Sequence, residues 1–375
     1  FECDPDDPDS YDFSRTDDYI QSILAAGAKI VYRLGESIEH TAKKYHVHPP
    51  ADYDKWARIC INIIRHYNEG WANGFHHNIE YWEIWNEPDI GAKMWTGTKE
   101  QYYQLYETAA PAIKAAFPRL KVGGPAIAHP TRPMLEEFVA HCRDKQLPLD
   151  FLSWHTYTAD PEVIAGHALY VRELLDRYGY RQTESHINEW NYFPADFAKI
   201  WLKGNEYMRR DVFERQKSAE GAAFAGAVLA RLHDVHVDAA NYYDGQPTAL
   251  FCGLFDIYGV PQKTYRVFEA YRRLLDYPQR VAVDIAAGGI KVYGLAGKNG
   301  GGEALVMISH FHGKAQAYEI VVQGVPEGKR LLCGAAVLDA EHDWLPLPES
   351  VAANGERFRL EMPGYSVALV RLTTL

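Results

Sequence analysis

The chain has 375 residues, 47% of them apolar, and a formal net charge of −11 from 39 basic and 50 acidic side chains. The length allows two or three domains, and the apolar share is enough for a large buried core. The acidic balance and the lack of a basic cluster argue against nucleic acid as a partner. No segment approaches the roughly 20 uninterrupted apolar residues of a membrane span, so we expect no span.

Cysteines and histidines give no sign of a metal site or a redox centre. The five cysteines are far apart and form no CxxC pair. The pairs His46/His48 and His76/His77 lack a carboxylate at metal-site spacing. We therefore expect no metal and no cofactor. The N-terminal FECDPDDPDSYDF lacks the basic start and apolar stretch of a signal peptide, but a removed signal leaves no trace, so the compartment stays open.

Helix-like and strand-like segments alternate over residues 1–277. A helix is predicted at 16–26 and a buried strand at 28–34, and Asp52 predicts the start of a second helix that ends at Gly70. Further helices are predicted near 98–117, 133–145, 165–178, 214–233 and 262–275, and further strands near 81–87, 120–126, 149–157, 184–190 and 237–244. Because strands alternate with helices and are almost continuously apolar, we expect a parallel sheet covered on both faces.

From about residue 280 the pattern changes to short strands separated by Gly, Asn and Pro turns, with no helical period. The predicted strands read IKVYGLAG, EALVMISHF, AYEIVVQG, RLLCGAAVLD, RFRLEM and SVALVRL. This pattern is typical of a β-sandwich. We therefore divide the chain into a (β/α) domain, residues 1–277, and a β-sandwich domain, residues 278–375.

The strand count falls short of a closed TIM-type barrel. Six strands are predicted, ending near 34, 87, 126, 157, 190 and 243, whereas a (β/α)8 barrel has eight. Two arrangements stay open: a barrel whose first two strands precede residue 1, or an open sheet. In the first case, another chain or domain would have to cover the open edge.

Two glutamates lie where predicted strands end. Glu87 ends the strand in YWEIWNEPDI, and Glu189 ends the strand in HINEWNYF. Catalytic residues of a parallel barrel lie at the C-terminal strand ends, so two such carboxylates could face one sugar. A retaining glycosidase uses a pair about 5–5.5 Å apart, one protonated to assist the leaving oxygen and one ionised to attack the anomeric carbon. The alternative for each is a solvated strand terminus or a salt bridge.

Aromatic side chains make up 13% of the chain, including 25 Tyr and 9 Trp. Aromatic faces stack on the C–H surfaces of sugars, although a large aromatic core would give the same composition. The segment 191–213, with Tyr192, Phe193, Trp201 and Tyr207, is predicted to wall a cleft and to set substrate length, or else to pack over the barrel rim.

Four motifs, WEIWNEPD, VGGPA, SWHTY and INEWN, follow one another at the ends of successive strands. Together they resemble clan A glycoside hydrolases, most closely family 39, which contains β-xylosidases and α-L-iduronidases. The resemblance covers roughly residues 15–277, and the β-rich tail is similar to the accessory domain of the family. It implies a (β/α)8 TIM-type barrel in which the first strand of this chain is strand three, so that strands one and two would precede residue 1. It also implies that Glu87, at the end of strand four, is the acid/base and that Glu189, at the end of strand seven, is the nucleophile. Arg33 departs from the pattern, because the family usually has a carboxylate there.

Several further residues are candidates for contacts with the sugar. Asn86 places an amide beside Glu87 that could hold a hydroxyl. His155 and Tyr157 alternate on one strand and so point the same way; Tyr157 could also bond the nucleophile, whereas His155 could be a core histidine. Tyr243 is a candidate stacking platform or a core tyrosine. Glu36 could reach a hydroxyl or lie on the surface.

The sequence thus predicts a retaining, exo-acting glycosidase with a carbohydrate substrate, in the form of a β-xyloside or a related glycoside. Other clan A specificities, such as α-L-arabinofuranosidase or β-galactosidase, would share the same machinery. A non-catalytic carbohydrate-binding protein is the alternative outside enzymes. An open barrel edge would favour contacts between copies of the chain, so a homo-oligomer also stays open.

Overall fold

The structure is a computed structural model that describes residues 3–35, 44, 46–248, 251, 253–286 and 289–375. Its α-helices are α1 (Ser14–Ala25), α2 (Tyr53–Glu69), α3 (Lys99–Ala116), α4 (Pro133–Asp144), α5 (Pro161–Arg177), α6 (Phe197–Ile200), α7 (Glu206–Lys217), α8 (Ala219–Leu232) and α9 (Lys263–Arg273). Its first six strands are β1 (Val31–Leu34), β2 (Tyr81–Ile84), β3 (Lys121–Ile127), β4 (Phe151–Thr158), β5 (Glu184–Tyr192) and β6 (Ala239–Tyr242). Within these ranges, no helix is long and apolar enough to cross a bilayer.

The first six strands form one sheet in the order β1-β2-β3-β4-β5-β6. The pairs β1–β2, β2–β3 and β3–β4 are parallel. Helices alternate with the strands along the chain, and the side chains of β3 and β4 are almost entirely buried. The predicted α/β fold class is confirmed: the sheet is part of a (β/α) barrel, and antiparallel sheets follow it.

Local signals determine several helix ends. Asp52 accepts a hydrogen bond from the Lys55 N–H (2.9 Å) at the start of α2, and Gly70 ends that helix with a left-handed backbone (φ 76°). The helix predicted near 214–233 is two helices instead. Ser218 has an extended backbone and caps α8 through its hydroxyl, which accepts from the Glu220 N–H, so α7 ends one residue earlier.

The first compact unit comprises Phe1–Thr156, Leu169–Asn188 and Val237–Ala240. Its core is rich in aromatic side chains, which makes the aromatic composition partly structural; fully buried members are Trp82, Trp154, Tyr102, Tyr106, Phe138 and Phe151. β3 and β4 approach closely at Gly123, where an added Cβ would lie 2.1 Å from the Phe151 carbonyl oxygen. The glycine is therefore required by the packing of these two strands.

The second compact unit comprises Tyr157–Ala168, Glu189–His236 and Asn241–Leu375. It contains the antiparallel strands β7 (Gln279–Val281), β8 (Val292–Lys298), β9 (Glu303–His310), β10 (Gln316–Val321), β11 (Arg330–Leu338), β12 (Leu345–Pro346), β13 (Ser350–Ala353), β14 (Arg357–Met362) and β15 (Ser366–Thr374). β10 pairs with β14, and the other strands form a second sheet. Buried side chains from both sheets share one core, among them Phe358, Leu360 and Val370.

The six C-terminal strands predicted from the sequence correspond to β8, β9, β10, β11, β14 and β15. The sequence reading missed β7, β12 and β13, which are two to four residues long. Strands this short give almost no alternating pattern. The domain boundary at residue 277 stays a prediction.

Candidate active site

Glu87 lies just beyond β2, in a backbone region fixed on both sides. The Trp85 N–H donates to the Leu34 carbonyl (2.8 Å), and the Glu87 N–H donates to the Ala126 carbonyl (3.0 Å). Both Trp85 (φ 71°) and Glu87 (φ 46°) have a left-handed backbone, which is uncommon for residues with a side chain. Strand β2 thus ends at Ile84. The two backbone hydrogen bonds, to Leu34 and Ala126, still hold Glu87 close to the ends of β1 and β3.

Asp89 fixes the loop that follows Glu87. Its carboxylate accepts hydrogen bonds from the backbone N–H groups of Ala128 (2.9 Å) and His129 (3.1 Å), which lie just after β3. Since Pro88 begins a short 3₁₀ helix that contains Asp89 and directly follows Glu87, Glu87 has little freedom to move. The role of Asp89 was missed, although an acid next to a strand-end motif is a usable signal.

His155 is fully buried on β4, and its Nδ1 lies 2.8 Å from Oε1 of Glu87. The Glu87 side chain keeps 14% of its surface exposed. The first compact unit therefore brings Glu87 and His155 together. His155 is thus a buried histidine with a hydrogen-bond partner, and its contact with the sugar stays a prediction.

Asn86 is completely buried, and neither its side-chain oxygen nor its nitrogen has a hydrogen-bond partner among the described residues. A buried amide without partners costs free energy, so such groups are rare in folded proteins. A ligand hydroxyl could satisfy both atoms, because the amide offers a donor and an acceptor.

Glu189 lies on β5 and is 5% exposed. The Tyr157 hydroxyl donates to its Oε2 across 2.6 Å. Tyr157 also contacts the Tyr243 ring, with 6.4 Å between ring centroids. The second compact unit thus gathers three of the predicted residues: the acid, a phenol bonded to it, and a second tyrosine beside that phenol.

Tyr243 and Asp244 follow β6 directly. The Tyr243 N–H donates to the Trp190 carbonyl (3.0 Å), and its carbonyl accepts from the Asn191 side chain (2.6 Å). Burial, reinforced by the charge of Glu189, raises the pKa of Asp244 to about 6, while a hydrogen bond from the Gln246 N–H opposes the shift. Sequence reasoning missed Asp244, although it is a carboxylate at a strand end like Glu87.

Arg33 takes part in a buried ion pair. Its Nε lies 2.6 Å from Oε2 of Glu83, and Nδ2 of Asn188 donates to Oε1 of the same carboxylate (2.5 Å). The Glu83 side chain is 2% exposed, whereas Arg33 is 27% exposed. Arg33, which departs from the pattern of the family that the sequence resembles, therefore neutralises the buried negative charge of Glu83 on β2. Glu36, the remaining candidate, lies outside the described residues.

The chain is similar to known glycoside hydrolases. The model of the family "Glycosyl hydrolases family 39" matches residues 1–178. A β-xylosidase from Geobacillus stearothermophilus is 25% identical over 305 residues, which covers 71% of this chain and 57% of that protein. A β-xylosidase from Caldicellulosiruptor saccharolyticus is 27% identical over 282 residues, covering 68% and 52%. The chain thus spans little more than half the length of the curated relatives it matches.

A solved structure extends the similarity to the whole chain. The crystal structure of a glucosidase from Croceicoccus marinus is similar with a TM-score of 0.77 and 25% sequence identity. The match covers 100% of this chain and 84% of that chain. The similarity therefore includes the antiparallel sheets as well as the parallel one.

Proposed function

We propose that this chain is a clan A glycoside hydrolase of family 39 that hydrolyses glycosides with retention of configuration, using Glu189 as nucleophile and Glu87 as acid/base. One observation carries the proposal. Each carboxylate has a hydrogen bond to a residue of β4, Glu87 to His155 and Glu189 to Tyr157, and these two partners are alternate residues of that strand. Each acid is therefore oriented by a hydrogen bond of its own.

The surroundings of Glu189 suit a nucleophile. In the first step its carboxylate attacks the anomeric carbon, the bond to the leaving oxygen breaks, and a covalent glycosyl-enzyme forms. The attacking group must be ionised, and a phenol that donates 2.6 Å from Oε2 stabilises the negative charge. Burial to 5% exposure keeps water from competing with the sugar for this carboxylate.

The surroundings of Glu87 suit a group that moves a proton in both steps. It gives the proton to the leaving oxygen, then takes one from the water that hydrolyses the intermediate. Its backbone N–H is hydrogen-bonded to the Ala126 carbonyl, and its carboxyl group is hydrogen-bonded to the His155 ring. The side chain is partly exposed, so the leaving group and later the water can reach it.

We further propose that Asn86 holds a hydroxyl of the sugar at the cleavage site, since its buried amide has both hydrogen-bonding atoms available. Tyr157 and Tyr243 are proposed to contact the sugar beside Glu189. The expected substrate is a β-xyloside cleaved from a chain end, in keeping with the names of the two curated relatives. The name of the solved glucosidase makes glucosides the next substrates to test.

A panel of nitrophenyl glycosides tests the proposal. We expect cleavage of the β-xyloside. Proton NMR of the first sugar released should show that its anomeric configuration is retained. The panel should include the β-glucoside, the β-galactoside and the α-L-arabinofuranoside. Binding of these sugars without cleavage of any would support a non-catalytic carbohydrate-binding protein and would contradict the proposal.

Two variants test the roles of the acids. Glu189→Gly should abolish turnover, and azide should restore part of it by giving a glycosyl azide of inverted configuration. Glu87→Ala should retain activity on dinitrophenyl glycosides, whose leaving groups need little protonation. If azide instead rescues Glu87→Ala with inversion, the two roles are exchanged. If neither substitution slows turnover, the assignment is wrong.

A further inference from the structure

An unusual number of large apolar side chains is exposed around α6. Phe197 is 44% exposed, Trp201 43%, Leu202 58% and Tyr207 71%. Two of them, Phe197 and Trp201, have their rings in contact, and we call this pair the α6 surface. Exposed apolar side chains clustered in this way typically mark a binding site.

The α6 surface is continuous with the surroundings of the proposed nucleophile. The Tyr157 ring, whose hydroxyl bonds Glu189, lies 6.3 Å from the Phe197 ring between centroids. The Phe197 ring in turn lies 6.2 Å from the Trp201 ring. All four residues belong to the second compact unit. A row of aromatic rings thus leads from the buried carboxylate to solvent.

The residues around Trp201 fix its position, although the side chain is 43% exposed. Asp196 caps α6 by accepting from the N–H groups of Ala198 and Lys199. Ile200 is fully buried in a cluster with Phe193, Val212 and Phe213. The Arg209 guanidinium lies 5.2 Å from the Trp201 ring, which is a cation–π distance. The indole therefore has a fixed position before any ligand arrives, which lowers the entropic cost of binding.

We propose that Phe197 and Trp201 form a platform for the sugar ring of the leaving group, so that the substrate is an oligosaccharide rather than a glycoside of a small alcohol. The inference rests on the proposed function. Aromatic faces stack on the C–H face of a pyranose, so a neutral pyranose unit matches the two exposed rings. The platform would act on the part of the substrate beyond the bond that is cleaved.

The experiment compares two substrates that differ in the leaving group. Xylotriose places sugar rings on the platform, whereas β-D-xylosyl fluoride has only a fluoride ion there. For each variant, we take the ratio of kcat/KM for xylotriose to kcat/KM for the fluoride. Trp201→Ala should lower this ratio about tenfold, the effect of losing roughly 1.4 kcal/mol of stacking. Trp201→Phe should restore part of it, because a ring remains.

Tyr19→Ala is the matched control, since Tyr19 is an aromatic residue on α1 with 67% exposure. It should leave the ratio unchanged. A Trp201→Ala ratio equal to that of the wild type would overturn the inference. The inference is equally overturned if the only effect is that a dimer seen by sedimentation dissociates, because the α6 surface would then be a contact between copies.

Failure of the proposed function would look different. In that case the wild type would not hydrolyse the fluoride at all. Calorimetric titration of xylotriose into the wild type and Trp201→Ala then tests the platform directly. A tenfold weaker Kd in the variant would support the platform without catalysis, and equal binding or none would overturn it.

Discussion

Tyr157 donates a hydrogen bond to Glu189, with 2.6 Å between its hydroxyl oxygen and Oε2. That separation is typical of an O–H group bonded to an ionised carboxylate. Glu189 is 5% exposed, so the phenol supplies in a dry site the stabilisation that water supplies at a surface. The contact favours the charged form, which a nucleophilic role requires.

Tyr157→Phe removes this donor and keeps the ring. A hydrogen bond to a charged group contributes about 1.5–3 kcal/mol, so kcat/KM should fall by about tenfold to 100-fold. The acidic limb of the pH–rate profile should move to higher pH, because the carboxylate loses a group that stabilises its charge. An unchanged rate and an unchanged profile would mean that the hydroxyl does not stabilise the carboxylate and that Tyr157 acts only through packing.

His155 is expected to orient Glu87 through their 2.8 Å hydrogen bond. His155→Ala should therefore slow substrates that need protonation of the leaving group much more than those that do not. The measurement is a plot of log(kcat/KM) against the pKa of the leaving phenol, which should be steeper for the variant. His155→Asn, which can still donate to the carboxylate, should restore a flatter slope. Equal losses for all substrates would contradict a positioning role.

Asp244 should make the protein less stable above pH 6. Its pKa is raised to about 6, chiefly by burial, whereas in the unfolded chain a carboxyl titrates near 3.9. Folding is therefore opposed as the pH rises from about 4 to 6, and the penalty is complete above that range. Asp244→Asn removes it and keeps an acceptor for the Gln246 N–H.

The difference between the folded and unfolded pKa of Asp244 corresponds to a loss of about 3 kcal/mol in the free energy of unfolding. Asp244 is only about half buried, so solvent screening reduces this loss. We expect Asp244→Asn to raise the free energy of unfolding by about 1 kcal/mol at pH 7.5 and by almost nothing at pH 4. Urea unfolding at the two pH values provides the measurement. The same gain at both would show that the ionisation of Asp244 is not the cause.

Arg33 and Glu83 should be coupled in stability. Arg33→Met leaves the Glu83 carboxylate buried without its cation, which costs about 3 kcal/mol. Glu83→Gln leaves an arginine that can still reach water and should cost less. In the double variant, the loss in the free energy of unfolding should be smaller than the sum of the losses in the two single variants, since no unpaired charge remains. Additive losses in urea unfolding would contradict the coupling.

Gly123→Ala should be strongly destabilising. The new Cβ would lie 2.1 Å from the Phe151 carbonyl oxygen and 2.6 Å from the Phe151 ring, so β3 and β4 would have to separate. Overpacking against backbone costs about 3 kcal/mol. Gly166→Ala is the control: it lies in α5 with nothing within 4 Å of the new Cβ, and should stabilise by about 0.5–1 kcal/mol. A thermal melt that ranks the two in the opposite order would contradict the packing argument.

Much of the fold could be predicted because its signals are local. The caps of α2 and α3 and the alternation of strands and helices all depend on residues within a few positions of each other. The predictions failed where the signal was weak or conflicting. The break at Ser218 interrupts an Ala-rich helical pattern, and the shortest C-terminal strands are too brief to show alternation.

The sequence by itself determined the order of the elements and the motifs that resemble the family. It placed Glu87 and Glu189 at strand ends, whereas Glu87 lies beyond β2 and Glu189 lies within β5, three residues before its end. Only the tertiary structure decided which partners the charged groups have: Glu83 with Arg33, 50 residues away, and with Asn188, 105 residues away. It also decided that the exposed ring of Trp201 continues the aromatic row that begins at Tyr157. The physical reason is that hydrogen bonds and burial act through space, whereas periodicity and capping act along the chain.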